Sequence, residues 1–340
     1  MADAFFPSIY PLRFHLETLA AFHVPEYKGS LFRGGFGYFF RDLVCVTRAP
    51  ACPGCPHLHT CSYSTVFESP VAPERIGVLR KYPNAPHPFV MAPPLDARTL
   101  LPAGTDLSLD ITLIGEGVKT LPHFLVVFEE MGRSGRFGGK FRLRAVHSAL
   151  PAAQPVFDGV TRRIAESVPP WIAPPEPPPP QRAHLSFLTP LRMRTGGVYN
   201  RNPDFVSIAH ALLRRIHLLA AIYGEGTAST DWMKPLLASA DQVRSESSTF
   251  SLYPWQRASG RQHRSIAMDG VIGKITVGGD LDLLWPWLRL GEWIHVGPGR
   301  PWGWVNSAWR GNRVRKGTLE HFREVYRMEV VDRKAFGVRG

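Results

Sequence analysis

Cysteine is scarce in this chain: 340 residues contain four, all between positions 45 and 61. A set so small and so local cannot staple a disulfide framework across the molecule, so the fold has to rest on hydrophobic cores. Long apolar runs are missing too. No stretch of about eighteen uncharged apolar residues occurs, so no segment is composed like a simple membrane span. Acidic residues are in deficit, 28 Asp and Glu against 40 Lys and Arg, for a formal net charge of +12. Such a surface repels cationic partners and attracts a polyanion. The opening Met-Ala-Asp-Ala-Phe-Phe-Pro lacks the basic start and apolar centre of a secretory signal, so a cytoplasmic location with reduced thiols is expected.

Basic and glycine-rich segments are present in compensation. Residues 290–303 read Leu-Gly-Glu-Trp-Ile-His-Val-Gly-Pro-Gly-Arg-Pro-Trp-Gly, an apolar run entering a loop with Gly297, Gly299, Arg300 and Trp302. Glycines let backbone N–H groups approach an anion, Arg300 adds charge, and Trp302 offers a face for a base. Residues 132–144 repeat that grammar with Arg136 among the glycines. From Arg300 onward, ten Lys and Arg stand against four Asp and Glu. Nucleic acid fits this distribution; no wide apolar helix face accompanies it to suggest a membrane surface.

Proline supplies the clearest boundary. Eight of the twelve residues at 169–180 are proline, too dense for a helix or a sheet interior. The reading is a domain at 1–165, a linker at 166–183 and a domain at 184–340. Before the linker, alternation predicts strands at 9–22, 107–114 and 140–146. Helical spacing predicts helices at 30–43, with Ser30 as N-cap, and at 121–131. The chain from the cysteines to about residue 103 reads as irregular. After the linker, strands are expected at 185–193, 271–277 and 293–296, with a short helix at 281–288. A longer helix at 205–223 is capped by Asp204. Two α+β domains with open antiparallel sheets follow.

The cysteines are spaced C-x6-C-x2-C-x5-C. Cys45, Cys52, Cys55 and Cys61 can converge on one zinc, with Pro53-Gly54 turning the C-x2-C knuckle and His57 and His59 as further donors. Four thiolates leave no open coordination position, so the role is structural. An iron–sulfur cluster accepts the same ligand set.

Several segments, in order along the chain, resemble the CRISPR-associated endoribonucleases of the Cas6 family, in the RAMP superfamily. They are Gly-Ser-Leu-Phe-Arg-Gly-Gly-Phe-Gly-Tyr at 29–38, the cysteine stretch at 52–68, and Phe-Leu-Thr-Pro-Leu-Arg at 187–192. Arg-Ala-Ser-Gly-Arg-Gln at 257–262, followed by Gly270 and Gly273, and the terminal loop at 295–303 complete the set. Trp304 stands where the family usually carries a further glycine. The resemblance implies tandem ferredoxin-like (RAMP/RRM-like) domains, the first bearing the cysteine insert at 45–61. It also implies an enzyme that binds CRISPR repeat RNA and cuts precursor CRISPR RNA without a metal. Other Cas proteins of an effector complex are implied as further partners. Family placement puts His23, Tyr27 and Lys28 beside the first helix as acid/base, proton-positioning and phosphate-facing groups. His263 is the alternative histidine. Arg33, Arg257, Arg261 and Arg264 join Arg136, Gly297, Gly299, Arg300 and Trp302 as RNA-binding candidates. Two other readings remain at this stage: a non-cleaving CRISPR RNA-binding subunit, and a zinc-bearing DNA-binding regulator. The regulator lacks a recognisable basic recognition helix.

Overall fold

The computed structural model describes residues 6–71, 85–172, 179, 181–195, 198–225, 229–259 and 264–296, with the side chains of 257–259 and 264–266 left aside. The N-terminal half begins with β1 (Ile9–Thr18), whose alternating burial sends Leu12, Phe14 and Leu16 inward. After a short β2 (Phe22–His23), α1 (Gly29–Val44) buries Phe32, Phe36, Phe39 and Phe40. The expected cap is corrected: Ser30 lies inside the helix, and Lys28 occupies the N-cap position without a side-chain cap bond.

A π-helical turn (Ser64–Glu68) closes the cysteine loop. The segment expected to be irregular contains β3 (Phe89–Ala92) and β4 (Leu100–Leu101) before β5 (Asp106–Ile114). Helix α2 (Leu121–Ser134) ends at Gly135, whose φ of 69° gives the left-handed cap that glycine adopts without strain. Strands β6 (Phe141–Ser148) and β7 (Pro155–Asp158) complete an antiparallel sheet of order β3-β5-β1-β6-β7. Both helices pack on one face over a phenylalanine-rich core.

The C-terminal half runs β8 (Arg182–Leu191), β9 (Met193–Thr195), β10 (Val198–Asn200), α3 (Phe205–Tyr223) and α4 (Met233–Gln242). The long hairpin β11 (Arg244–Ser259) and β12 (Arg264–Gly278) and helix α5 (Trp285–Ile294) follow. Asp204 caps α3 as its position predicts, accepting from the Ser207 N–H at 2.8 Å. The helix is long and apolar enough to cross a membrane, yet 67% of its apolar window is buried inside the fold. Its sheet has the order β11-β12-β8, which places the hairpin as β3-β5-β1 places its counterpart.

One expected strand is overturned: Trp293 and Ile294 form the last turn of α5. Pro286 starts that helix and needs no intrahelical donor there. His295 follows with φ 60° and is buried, so it does not alternate outward from a strand.

The halves share packing. Ile9, Val90 and Ile114 of the first sheet belong to the cluster around α3 and β8. Tyr223 Oη donates to the Pro86 carbonyl at 2.6 Å, and the Trp171 N–H donates to Ile9 O at 2.8 Å.

Candidate nucleic-acid interface

The two halves also meet beside the N-terminus of α1. Phe22 and His23 pair with Leu101 and Leu100, and the Val24 N–H donates to Thr99 O at 2.8 Å. Phe22 turns inward against Gly139, where an added Cβ would lie 2.1 Å from its ring, so the turn after α2 needs glycine for close approach. Alternation leaves His23 exposed. Tyr27 follows, half-buried, its ring 5.7 Å from Trp255 and 6.2 Å from Tyr253, both on β11. Burial and the neighbouring Tyr253 push its phenol far above the ordinary range, so Tyr27 stays protonated and can donate or position a proton but not take one.

Lys28 does not face phosphate. It is fully buried, and Nζ donates to the carbonyls of Glu26 (3.3 Å), Arg98 (2.9 Å) and Asp96. Burial lowers its pKa, opposed by Asp96. Three acceptors satisfy the three ammonium donors, so this lysine anchors the strap before β4 to the start of α1.

The Arg33 guanidinium lies over the rings of Phe67 (4.9 Å) and Phe89 (5.2 Å), on an aromatic-packed side of α1. Arg136 is exposed but engaged: it pairs with Asp42 at 2.9 Å and lies 5.0 Å over Phe39. The glycines around it serve the backbone. A Cβ at Gly132 would lie 2.0 Å from Phe141 O, so that segment owes its composition to packing against β6.

Of the second-half candidates, Arg257 and Arg264 have backbones in the hairpin, paired with Ile266 and Ser259. Arg257 is two residues beyond Trp255, so the hairpin carries its basic end past the Tyr27 contact. Arg261, His263, Gly297, Gly299, Arg300 and Trp302 lie outside the described residues.

Comparison with known proteins matches each half to a family model. Residues 185–304 match the model described as CRISPR-associated endoribonuclease Cas6, and residues 6–169 match the AF_1859 N-terminal domain model. The C-terminal half is thus similar to the Cas6 family along 185–304. An uncharacterized protein of Archaeoglobus fulgidus is 27% identical over 207 residues, which cover 60% of this chain and 67% of that one. A Thermus thermophilus Cas6 solved as a product complex covers 89% of this chain and 100% of its own, with TM-score 0.51 and 19% identity. A partial Cas6-RT-Cas1–Cas2 complex covers 90% of this chain and 46% of its own, with TM-score 0.54 and 12% identity. At these identities, the structural likeness establishes the fold.

The four cysteines and His57 border one cavity at the C-terminal end of α1. The knuckle is formed: the Cys55 N–H donates to Cys52 O at 2.9 Å, and Gly54 turns it at φ 83°. Thr47 Oγ1 lies 3.8 Å from Cys45 Sγ and 3.7 Å from Cys55 Sγ. No three His, Cys, Asp or Glu side chains among the described residues are gathered closely enough to ligate a metal. The backbone therefore fits a metal knuckle, while the thiols as placed stand apart.

Two features escaped the sequence reading. Arg215, buried in α3, donates from Nε to Ile294 O at 2.8 Å, at the end of α5. Arg192 and Arg194 gather on Tyr199. No charge run marks either one.

Proposed function

We propose that this protein binds CRISPR repeat RNA and cleaves precursor CRISPR RNA within the repeat. The observation that carries the reading is the Cas6 family match across 185–304. The net charge of +12 supports a polyanionic substrate. In the proposed reaction a base takes the proton of a ribose 2′-OH and O2′ attacks the adjacent phosphorus. The bond to O5′ then breaks, and an acid returns a proton to the leaving oxygen. The products are a 2′,3′-cyclic phosphate and a 5′-OH, with no metal in the step. His23 is the acid/base because it is exposed at the end of β2 beside the contact between the halves, and imidazole titrates near neutrality. Tyr27 braces this corner, and the arginines of the hairpin end and terminal loop take phosphates. Other Cas proteins are the further partners, as in the Cas6-RT-Cas1–Cas2 assembly.

Both halves are read as RAMP-type ferredoxin-like domains. The first half's order β3-β5-β1-β6 is that of a β-α-β-β-α-β unit, and β11-β12-β8 supplies the equivalent three strands in the second. Cys45, Cys52, Cys55 and Cys61 would hold a zinc whose work is structural, tying the loop to the end of α1. Elemental analysis of the purified chain, with thiol titration before and after a chelator, tests that part.

The test of cleavage uses labelled repeat RNA in EDTA under single-turnover conditions. Wild type should yield cyclic-phosphate product. His23→Ala should slow the cut by about a hundredfold to ten-thousandfold with RNA affinity retained, the usual cost of one acid/base group. Full-rate cutting by His23→Ala with loss in His263→Ala would move the active histidine to the second half. RNA binding by the wild type without any cut would reduce the function to a non-cleaving RNA-binding subunit.

A further inference from the structure

The hairpin of β9 and β10 carries a cationic cluster on the C-terminal half. Tyr199 is the direct cross-strand partner of Arg194. The Arg194 guanidinium lies 4.4 Å from the ring centroid, and its Nη2 donates to Tyr199 Oη at 3.0 Å. Arg192, arriving from the end of β8, lies 3.9 Å from the centroid of the same ring. Two like charges are thus held against one aromatic side chain, which fixes rotamers that free arginines would sample. Arg201 lines the adjoining cleft with Arg192, Tyr199, Asn200 and Leu252.

Charge here is not balanced from within. Three arginines face one carboxylate, Asp269, which lies 3.6 Å from Arg192 Nη2. Arg194 and Arg201 have no ion-pair partner among the described residues, and the buried Nε of Arg192 has no hydrogen-bond acceptor there. By contrast, Arg136, stacked in the same way on Tyr38, is neutralised by Asp42. The exposed apolar side chain of Leu252, at 48% exposure, lines the cleft, and Val198 precedes Tyr199 at 72% exposure. Forked donors held in advance suit a phosphate oxygen, and an apolar side chain suits the face of a base.

We infer that Arg192, Arg194 and Arg201, ordered by Tyr199, form a subsite for a backbone phosphate of single-stranded RNA. The subsite is a different set of residues from those proposed for cleavage, one strand pair from Trp255: Arg192 Nη1 approaches Met268 Sδ, and Met268 pairs with Trp255. The inference rests on the RNA-binding reading above and adds a second place where the strand is gripped. Its chemistry is that of a clamp: no bond is made or broken, and the tyrosine acts only by positioning the guanidinium pair.

The experiment is fluorescence anisotropy with labelled repeat RNA over a salt series on the full chain, alongside single-turnover cleavage at saturating protein. Arg194 and Arg201 are exposed, so Arg194→Ala with Arg201→Ala should fold normally, as thermal melting will verify. The pair should weaken binding by about tenfold near 0.1 M salt. It should also flatten the log–log salt slope by about 0.7, the share of the one single-strand phosphate no longer neutralised. The saturated cleavage rate should stay at the wild-type value. Tyr199→Leu keeps every charge and should still weaken binding severalfold, which a net-charge effect would not do. Arg133→Ala, an exposed arginine on α2 already paired with Glu130, is the charge control and should change little. A wild type that binds and cuts RNA, with unchanged slope and affinity in the double variant, overturns the subsite and leaves the function standing. Tyr199→Leu behaving as wild type, with Arg133→Ala as weak as the double variant, also overturns it. A wild type that binds no RNA removes both readings.

Discussion

The two halves answer the same topological problem with different materials. The first packs β1, β5 and β6 against α1 and α2 through phenylalanines: Phe36 stacks on Phe124 at 4.4 Å between centroids and contacts Phe40, Phe89 and Phe128. The second surrounds α3 mainly with leucine, isoleucine and alanine, with Phe187 and Phe205 as fully buried rings. The buried cations differ as well. Lys28 satisfies its donors on the Glu26 carbonyl and two carbonyls of a strap, whereas Arg215 reaches the C-terminal carbonyl of α5, where a helix dipole favours positive charge. One fold pattern therefore tolerates two core chemistries, provided that each buried charge finds backbone acceptors.

The sharpest way to break this comparison is to empty each core. Phe36→Ala should cost about 3–5 kcal/mol and Ile216→Ala about 2–5 kcal/mol, each leaving a cavity beneath a fully buried site. Because the halves share packed residues, both variants should shift a single unfolding transition in calorimetry. Two separable transitions would show instead that the halves fold independently.

Removing the cations comes next. Lys28→Met and Arg215→Met should each lose about 1–3 kcal/mol by leaving buried carbonyls without donors. Denaturant midpoints measure the loss, and Arg215→Lys should recover part of its share. If Lys28→Met instead abolished RNA cleavage at unchanged stability, the buried anchor would have to be reassigned to the chemistry.

Helix caps give a smaller contrast. Asp204→Ala should cost about 1 kcal/mol because the Ser207 N–H loses its acceptor, whereas Ser30→Ala on α1 should be nearly silent.

The smallest effect is one of pH. His87 is half-buried with Nδ1 3.0 Å from Ser69 Oγ, and desolvation, then Arg33, then Arg215, hold its pKa well below the ordinary imidazole value. Its unfolded form therefore binds a proton at a higher pH than its folded form does. The stability this provides is complete above about pH 6.5 and is lost as pH falls toward the folded pKa. Melting temperature should decline across that acidic window, and His87→Gln should make the decline shallower.

Much of the frame is legible in the sequence for a physical reason. Helices α1, α2 and α3 announce themselves because one face of each is buried, so apolar residues recur at helical spacing. Strand β11 does not. Its run Arg-Ser-Glu-Ser-Ser-Thr-Phe-Ser-Leu-Tyr-Pro-Trp is polar and contains a proline, which an edge strand accepts because one side of its backbone needs no partner. At α5, Gly291 and the apolar Trp293-Ile294 look like the approach to a strand, and only Pro286 signals the helix. The site divides similarly. The neighbourhood of His23 and Tyr27 could be placed by resemblance. The burial of Lys28 depends on carbonyls at 96 and 98, which only the folded strap brings close. Arg192, Arg194 and Tyr199 escaped because their meeting depends on hairpin register, which single-sequence spacing does not encode.

Ile9, Val90 and Ile114 lie on the N-terminal side of the proline-rich segment but are packed among the residues of α3 and β8. The family models divide the matched sequence at 169 and 185. The division that sequence comparison draws is thus not a division along which the molecule can be taken apart. A fragment beginning at residue 181 would carry a bare apolar surface where those three side chains belong, and would tend to aggregate. Exchanging one half with a relative's would require the matching contact residues to travel with it, so the two halves are constrained to change in concert.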